Sequence, residues 1–384
     1  MMSQFAGARV LLTGGGSAGH VNPLLAVASV LKDRGIEVEA LGTTKGLEQE
    51  LVPAAGIKLN TIAKVPAPRR PNKAALTFVP DLYKTVKDVE KIIDSSNIEA
   101  VVGFGGYVSA PAYLAARNKG IPVAIHEQNA RPGLANKLGA RFVQAVALTF
   151  ESTPLQARKG STHTVGLPLR PEIEDLAKQR ASVEGRIESR AQAARALGLD
   201  PRHPIMLITG GSLGAKKLND VLATSAGAFD ERNQIIHLTG KGKSEGVEAA
   251  VRGSGFKGTW IVQEYSNSIH DLFAAADLVV SRSGAGMVAE LTALGLPAVY
   301  VPLPIGNGEQ RLNASEHHRA GGALIFPDKD FNDYIVRTHV APLLDSGDRL
   351  SKMARSSRRL GRIDASLRMA DIVESVLSPK LGVR

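Results

Sequence analysis

The chain has 384 residues, of which 43% are hydrophobic and 22% charged, so it is long enough for two domains that each bury a core. It contains no cysteine, which excludes disulfides and thiolate metal sites. The formal charge of +10 favours anionic partners, whereas 4% aromatic residues and the lack of a zinc-finger or RNP-like pattern argue against nucleic acid. The N-terminus lacks the regions of a signal peptide, and no apolar run approaches the roughly 20 residues that span a bilayer. We therefore expect a cytosolic protein, or one bound peripherally to the inner face of a membrane.

Apolar runs typical of buried strands alternate with segments of helical spacing along most of the chain. The predicted strands are Val10–Leu12, Val38–Leu41, Ala100–Val102, Val123–Ile125, Val146–Leu148, Ile205–Ile208, Gln234–Leu238, Thr259–Val262, Leu278–Val280 and Ala298–Val301. This alternation predicts an α/β fold with parallel sheets and helices on both faces. A boundary near Val165–Pro171 predicts an N-terminal domain over 1–166 and a C-terminal domain over 167–362. We expect a last helix over 363–384 that returns to the first domain, as in other two-domain proteins of this kind.

Two predicted strands lead into glycine-rich turns, Thr13–His20 and Thr209–Ala215, each followed by a helical segment. Such a turn lets backbone N–H groups approach an anion, and the positive end of the helix adds to the attraction. Two of these turns about half a chain apart predict one phosphate-binding site in each domain.

The first turn also permits a different interpretation. Gly14–Gly19 has the spacing of the dinucleotide fingerprint, and Glu37 and Glu39 follow about 20 residues later, as in NAD-binding domains. An NAD-dependent dehydrogenase is therefore an alternative. His20 weakens it, since it places an imidazole at the start of the helix, beside the turn.

Further polar or glycine-rich segments follow strands in the first half, namely Gly103–Ser109 and His126–Asn129. Residues just beyond the carboxyl ends of parallel strands line the ligand crevice of an open α/β sheet. Together with the first turn, these segments predict a single site.

In the second half, Ser281–Glu290 follows a strand and begins a helix, and Val301–Ala314 supplies many hydrogen-bonding groups. The helix N-terminus could bind a phosphate, and the Glu290 carboxylate could accept hydrogen bonds from ribose hydroxyls. Asp328–Asp330 has the D-x-D spacing of some metal-dependent sugar transferases, but its context indicates turn and helix-cap chemistry. We therefore predict a reaction that needs no metal.

Basic residues lie beside apolar ones in Pro66–Lys84. This pattern fits an amphipathic segment that binds an anionic membrane surface, and it equally fits a helix that packs on its own core.

Taken together, these segments resemble the bacterial N-acetylglucosaminyltransferases of peptidoglycan synthesis, in glycosyltransferase family 28. The segments that carry the resemblance are Gly14–Pro23, Gly103–Ser109, His126–Asn129, Gly210–Ala215 and Ser281–Ala314. The resemblance implies the GT-B fold, two Rossmann-like domains facing across a cleft. It also implies transfer of N-acetylglucosamine, with inversion, from UDP-N-acetylglucosamine to lipid I, the undecaprenyl-diphosphate-linked muramyl pentapeptide, to give lipid II.

The resemblance further implies roles for individual residues. For the catalytic base we favour His20 on chemical grounds, because an imidazole titrates near the working pH and this one lies beside the first turn. His126 and Glu127 are the other candidates. The implied donor-binding residues are Ser17, Ala18, Gly19, Asn129, Arg170, Ser212, Ser266, Ala285, Gly286, Met287, Glu290 and Gln310. The residues expected to hold the acceptor diphosphate are Gly14, Gly15, Gly16, Gly105, Gly106 and Tyr107. Leu213 and Glu309 depart from the glutamines usual in the family, so their side-chain contacts do not carry over.

The implied partners are UDP-N-acetylglucosamine, lipid I and the cytoplasmic face of the bacterial cell membrane, with no cofactor and no nucleic acid. Three alternatives stay open beside the dehydrogenase. They are a UDP-N-acetylglucosamine epimerase, a diacylglycerol glycosyltransferase, and a nucleotide-sugar-binding scaffold without catalysis.

Overall fold

The computed structural model describes residues 3–65, 73–211, 214–305 and 307–378. The chain forms two compact units, one of residues 1–170 with 364–384 and one of residues 171–363. Each unit contains a parallel sheet covered by helices.

The first unit alternates strands and helices along the chain. Its strands are β1 (Arg9–Thr13), β2 (Glu37–Thr43), β3 (Lys58–Ile62), β4 (Ala100–Gly103), β5 (Val123–Glu127), β6 (Ala145–Leu148) and β7 (Ser161–Thr164). Its helices before the boundary are α1 (Ala18–Asp33), α2 (Glu48–Ala54), α3 (Lys73–Ser95), α4 (Ser109–Lys119) and α5 (Leu134–Gly139). The strands form one sheet in the order β3-β2-β1-β4-β5-β6-β7, and every neighbouring pair is parallel.

The second unit repeats this plan with more helices. Its strands are β8 (Ile205–Thr209), β9 (Gln234–Leu238), β10 (Thr259–Gln263), β11 (Leu278–Ser281), β12 (Ala298–Tyr300) and β13 (Ala323–Ile325). Its α-helices are α6 (Pro171–Gln179), α7 (Val183–Ala196), α8 (Lys216–Thr224), α9 (Ser244–Gly253), α10 (Ile269–Ala275), α11 (Ala285–Leu294), α12 (Glu309–Asn313), α13 (Ser315–Arg319), α14 (Asp333–Ile335), α15 (Ala341–Leu344) and α16 (Gly347–Leu360). A 3₁₀ turn (Ala226–Ala228) and a π-helical turn (Val336–Val340) complete it. The sheet order is β10-β9-β8-β11-β12-β13, again parallel throughout.

The last helix, α17 (Ala365–Leu377), belongs to the first unit. Its apolar face, with Met369 and Val373, joins the core formed by β1 and α1. On its polar side, Asp371 and Glu374 pair with Arg34 at 2.8 and 3.2 Å. Burial of this face in the first core keeps the helix with that unit.

The predicted α/β fold with two parallel-sheet domains is confirmed, and each predicted strand overlaps an observed strand. Three strands were missed, β3, β7 and β13. β3 and β7 are edge strands that include exposed polar residues, and β13 is an edge strand of only three residues. A strand with one neighbour needs no continuous apolar run, so its sequence gives a weak signal.

Candidate functional site

The carboxyl ends of β1 and β4 lie side by side in the first sheet, at the point where the strand order reverses. Thr13, the last residue of β1, pairs with Gly103, the last of β4. In open parallel sheets the ligand crevice forms at this reversal. The predicted segments Thr13–His20 and Gly103–Ser109 therefore border the same crevice of the first unit.

The two segments approach each other through their glycines. A Cβ atom on Gly106 would lie 2.9 Å from the carbonyl oxygen of Gly15, and one on Gly105 would lie 3.1 Å from His20 Nε2. Gly105 and Gly106 also have φ angles of 93° and 89°, a region that favours glycine. Backbone conformation and lack of space therefore both require glycine at these positions.

His20, in the first turn of α1, ends the first segment and lies close to Gly105 of the second. Its Nδ1 atom is 3.0 Å from the hydroxyl of Ser17, the N-cap residue of α1, whose side chain makes no capping bond. Burial lowers the pKa of His20 below its usual 6.5, while a hydrogen bond to the Gly15 backbone and the charge of Glu48 act in the opposite direction. His20 is therefore mostly neutral at pH 7 and able to accept a proton.

Glu48, at the start of α2, lies behind the first turn, and the sequence analysis did not identify it. Its carboxylate accepts a hydrogen bond of 2.9 Å from the backbone N–H of Gly16, 32 residues away in sequence. An acidic residue in the first turn of a helix is common, because it complements the helix dipole. No local sequence signal therefore marks Glu48 as part of this site.

Two of the amides expected to bind a diphosphate are already engaged within the protein. The N–H of Gly14 donates to the carbonyl of Leu41 at 3.3 Å, and that of Gly16 donates to Glu48. Neither of these two bonds involves the N–H of Gly15, the third predicted diphosphate-binding glycine of the turn. The sequence pattern did not reveal this difference, because it depends on β2 and α2.

His126 and Glu127, the last residues of β5, are buried and hydrogen-bonded to nearby segments. His126 Nε2 is 2.8 Å from the Gly166 carbonyl, and burial lowers the pKa of His126 to about 4. Glu127 accepts from the N–H groups of Asn129 and Gly133, both at 3.0 Å, and from Asn136 Nδ2 at 2.9 Å. Burial raises the pKa of Glu127, and these hydrogen bonds oppose the rise. Glu127 therefore fixes the backbone after β5, and His126 contacts the segment that follows β7.

In the second unit, the strand order reverses between β8 and β11, where Thr209 pairs with Ser281. The second glycine-rich turn and the segment Ser281–Glu290 therefore border the crevice of this unit. Ser212, a predicted donor-binding residue, and Leu213 lie outside the described residues.

The N-terminus of α11 lies at the edge of this crevice. Gly284 is its N-cap in an extended conformation, and Ala285, Gly286 and Met287 form its first turn. Backbone N–H groups in the first turn of a helix have no intrahelical acceptor, so they suit an anion. Glu290 lies on the same helix and is half-buried.

The loop after β12 is held against the β11–α11 turn by hydrogen bonds. Ser283 Oγ donates to the carbonyl of Gln310 at 2.9 Å, and Gln310 Oε1 accepts from the N–H of Leu303 at 2.9 Å. Asn313 Nδ2 donates to the Ser283 carbonyl at 3.4 Å. Gln310, a predicted donor-binding residue, is thus brought next to the start of α11.

Arg282 connects the same loop to the D-x-D segment. Its guanidinium is 2.6 Å from the carboxylate of Asp328 and donates to the carbonyl of Val301 at 2.9 Å. Asp328 is therefore engaged in an ion pair that positions the loop. Within the described part of the chain, no group of three or more His, Cys, Asp or Glu is arranged to hold a metal ion.

The remaining predicted donor-binding residues fall in different parts of the chain. Ser17, Ala18, Gly19, Asn129 and Arg170 belong to the first unit. Ser266 belongs to the second unit, just after β10, where its Oγ accepts from the N–H of Ser268 at 3.2 Å. It follows β10, an edge strand separated from β11 by β9 and β8.

The helix α3 contains part of the amphipathic segment. Val79 and Tyr83 are 68% and 65% exposed, whereas Leu82 packs against the core of the first unit. Residues 66–72 of this segment lie outside the described residues. Across the part of the chain that the structure describes, no helix has the length and apolar character to cross a membrane.

Comparison with known families matches both units. The model of the glycosyltransferase family 28 N-terminal domain matches residues 10–148, and that of the family's C-terminal domain matches residues 205–375. The UDP-N-acetylglucosamine--N-acetylmuramyl-(pentapeptide) pyrophosphoryl-undecaprenol N-acetylglucosamine transferase of Bifidobacterium adolescentis is 48% identical over 387 residues, covering 96% of this chain and 97% of that protein.

Solved structures share the architecture. The crystal structure of Acinetobacter baumannii MurG superposes with a TM-score of 0.78 at 27% identity, covering 96% of this chain and 99% of that one. A UDP-GlcNAc 2-epimerase from Neisseria meningitidis, bound to UDP-GlcNAc, gives a TM-score of 0.68 at 14% identity, covering 96% and 100%. At that identity the epimerase shows a shared fold and no more.

Proposed function

The chain belongs to glycosyltransferase family 28, and we propose that it transfers N-acetylglucosamine from UDP-N-acetylglucosamine to lipid I, forming lipid II. The observation that carries the proposal is its similarity to the Bifidobacterium adolescentis transferase over nearly the whole of both chains. An epimerase shares the fold at low identity, so the likeness to it supports no activity.

The proposed reaction is a single displacement. The 4-hydroxyl oxygen of the muramyl sugar bonds to the anomeric carbon of N-acetylglucosamine, and the bond from that carbon to the UDP oxygen breaks. UDP leaves with the electron pair, and the hydroxyl proton passes to a base on the protein. Such a step needs a positioned base and donors that stabilise the departing diphosphate.

We assign the role of base to His20. It borders the crevice of the first unit, is half-buried, and has a lowered pKa that keeps it neutral near pH 7. His126 and Glu127 are buried and already hydrogen-bonded to backbone or amide groups, which favours a structural role for both. A base must reach the proton that it removes, and this requirement favours His20.

The acceptor diphosphate is assigned to backbone amides on both sides of the first crevice. Since Gly14 and Gly16 donate within the protein, the assignment narrows to Gly15, Gly105 and Gly106. Tyr107 follows them with a 45% exposed side chain, and Lys64 Nζ lies 4.6 Å from the centre of its ring. The lysine adds positive charge beside the proposed anion site.

For the sugar donor, we propose the residue roles that the resemblance implies. The leaving diphosphate is assigned to Ser212, Arg170 and the start of α11, where first-turn amides and the helix dipole favour negative charge. Glu290 would accept hydrogen bonds from ribose hydroxyls, and Gln310 would recognise the sugar. Ser17–Gly19, Asn129 and Ser266 complete the proposed donor contacts.

The activity has a direct test that separates the alternatives. The purified protein is incubated with labelled UDP-N-acetylglucosamine and a short-chain analogue of lipid I. Label in a disaccharide lipid supports the proposal. An epimerised donor would support an epimerase, and donor binding without turnover a scaffold. Reduction of NAD by a hydroxy substrate would support a dehydrogenase, and any of these three outcomes would contradict the transferase.

We also propose that the protein binds the cytoplasmic face of the bacterial membrane peripherally. Support comes from the exposed Val79 and Tyr83 on α3 and from the formal charge of +10. The double variant Val79→Ser/Tyr83→Ser is expected to lower binding to phosphatidylglycerol vesicles by about tenfold, because two apolar groups no longer enter the bilayer interface.

Co-sedimentation measures this binding. Val183→Ser/Ile187→Ser is the matched control, since these α7 residues of the second unit are 56% and 66% exposed. Equal losses for the two double variants would show that α3 has no special part in membrane binding.

A further inference from the structure

Glu48 is fully buried, although it is an acidic residue at the start of a surface helix. Its Oε1 accepts from the N–H and the hydroxyl of Thr43 at 3.0 and 2.8 Å, and its Oε2 accepts from the N–H of Gly16 at 2.9 Å. A buried carboxylate is tolerated only with such hydrogen bonds. The carboxylate therefore links the end of β2 to the first glycine-rich turn.

Three glycines leave the space that this carboxylate occupies. A Cβ atom on Gly15 would lie 2.6 Å from Glu48 Oε1, and one on Gly42 would lie 2.6 Å from Glu48 Cγ. A Cβ atom on Gly46 would also collide with Glu48 Oε2. The glycine at position 15 is thus explained by the glutamate behind the turn, in addition to any ligand in front of it.

The carboxylate is ionised at neutral pH. Burial raises the pKa of Glu48, but the hydrogen bonds from Gly16 and Thr43 outweigh this effect and hold the pKa below its usual range. From α1, the titratable group that faces this charge is His20, whose pKa Glu48 raises. In the β2–α2 segment, the Lys45 carbonyl shares the one Thr43 hydroxyl proton with Glu48 Oε1, and the Lys45 side chain is exposed.

We propose that Glu48 is a positioning residue for the catalytic base, holding Gly15–Gly16 and stabilising by its charge the imidazolium that forms when His20 takes the acceptor proton. The inference rests on the proposed function. The proton moves from the acceptor hydroxyl to the imidazole, and Glu48 stays ionised throughout. Glu48 does not touch the substrate in this scheme, and it acts through the turn and through its electric field.

Glu48→Gln tests the proposal because it keeps the shape and removes the charge. The amide offers one acceptor oxygen where the carboxylate offers two, so either Gly16 or Thr43 would face an NH₂ group. We expect kcat to fall by about ten- to 100-fold, the usual effect of losing a hydrogen bond to a charged group. KM for the donor should stay near that of the wild type.

A second readout separates positioning from a merely structural effect. The titration of the His20 imidazole, followed by NMR in the unreacted protein, should move to lower pH in Glu48→Gln, because the charge that favours the imidazolium is gone. Glu50→Gln, an exposed glutamate of the same helix, should leave both kcat and the His20 titration unchanged. Glu48→Asp keeps the charge and should retain a His20 titration close to that of the wild type.

The outcomes are distinguishable. If the wild type makes lipid II while Glu48→Gln matches it in kcat and in the His20 titration, the inference is overturned and the proposed function stands. If the wild type makes no lipid II, the proposed function fails, and the NMR titration still tests the electrostatic part. Should Glu48→Gln not fold, a Glu48→Asp variant with a displaced His20 titration would contradict the role of the charge.

Discussion

The two glycine-rich turns share a sequence pattern but require glycine for different reasons. In both turns one glycine has a positive φ and open space around its Cβ position, Gly16 at 86° and Gly211 at 82°. In the first turn, Gly15 leaves space for the side chain of Glu48. In the second turn, a Cβ atom on Gly214 would collide with the backbone carbonyl of Thr239, directly after β9.

This difference teaches that a glycine-rich turn does not identify one function by itself. The first turn encloses a buried charge next to a histidine, an arrangement suited to proton transfer. In the second turn, Gly214 packs against the backbone just after the neighbouring strand β9, so this glycine serves close packing as well as any bound anion. Substitutions in the first turn should therefore lower activity, and substitutions in the second turn should lower stability.

The largest effect is expected at the first turn. His20→Ala should lower kcat by about 10²–10⁴-fold, the usual contribution of a general base, while the affinity for UDP stays near that of the wild type. Enzyme kinetics and calorimetric titration with UDP measure the two quantities. His163→Ala, on the edge strand β7, provides an exposed histidine as a control. Turnover close to normal in His20→Ala would remove His20 from the role of base.

A substitution in the second turn is expected to change the stability of the second unit. Gly214→Ala should lower the free energy of unfolding of the second unit by about 3 kcal/mol, because a positive φ and a collision with backbone act together. Gly242→Ala is the matched control. Its φ of 71° is close to the 66° of Gly214, but nothing lies within 4 Å of its Cβ position.

In the control variant Gly242→Ala, the free energy of unfolding should fall by only about 1–2 kcal/mol, the cost of the left-handed conformation for a residue with a Cβ atom. Urea denaturation followed by the fluorescence of Trp260 reports on this unit, since the chain has 1 tryptophan. Equal losses in the two variants would mean that the contact with Thr239 contributes nothing.

The smallest expected effect is a displacement of the pH profile. Since burial lowers the pKa of His20, the base stays neutral to lower pH than a solvent-exposed histidine would. The acidic limb of kcat/KM should therefore have its midpoint below pH 6.5. This midpoint is measured by steady-state kinetics over a pH series, with saturating and limiting acceptor. A midpoint above 6.5 that is also present in His20→Ala would assign the limb to another group.

Much of the fold could be predicted from the sequence because buried parallel strands are continuous apolar runs. Val10–Leu12 and Ile205–Ile208 are of this kind, and both lie within observed strands. The helix predicted to begin within Ser281–Glu290 is α11, which begins at Ala285. The edge strand β7, with the sequence Ser161–Thr164, has no such run, and its single neighbour, β6, determines its conformation.

The sequence by itself determined the strand–turn–helix segments, since strand, glycine and helix signals lie within a few residues of one another. It also placed His20 beside a turn, because both belong to one such segment. Only the tertiary structure decided which glycine amides donate within the protein, and that Glu48 supports the first turn from 32 residues away. The reason is physical: the pairing of β1 with β2 brings Glu48 to Gly16, and strand order is set by packing between distant segments.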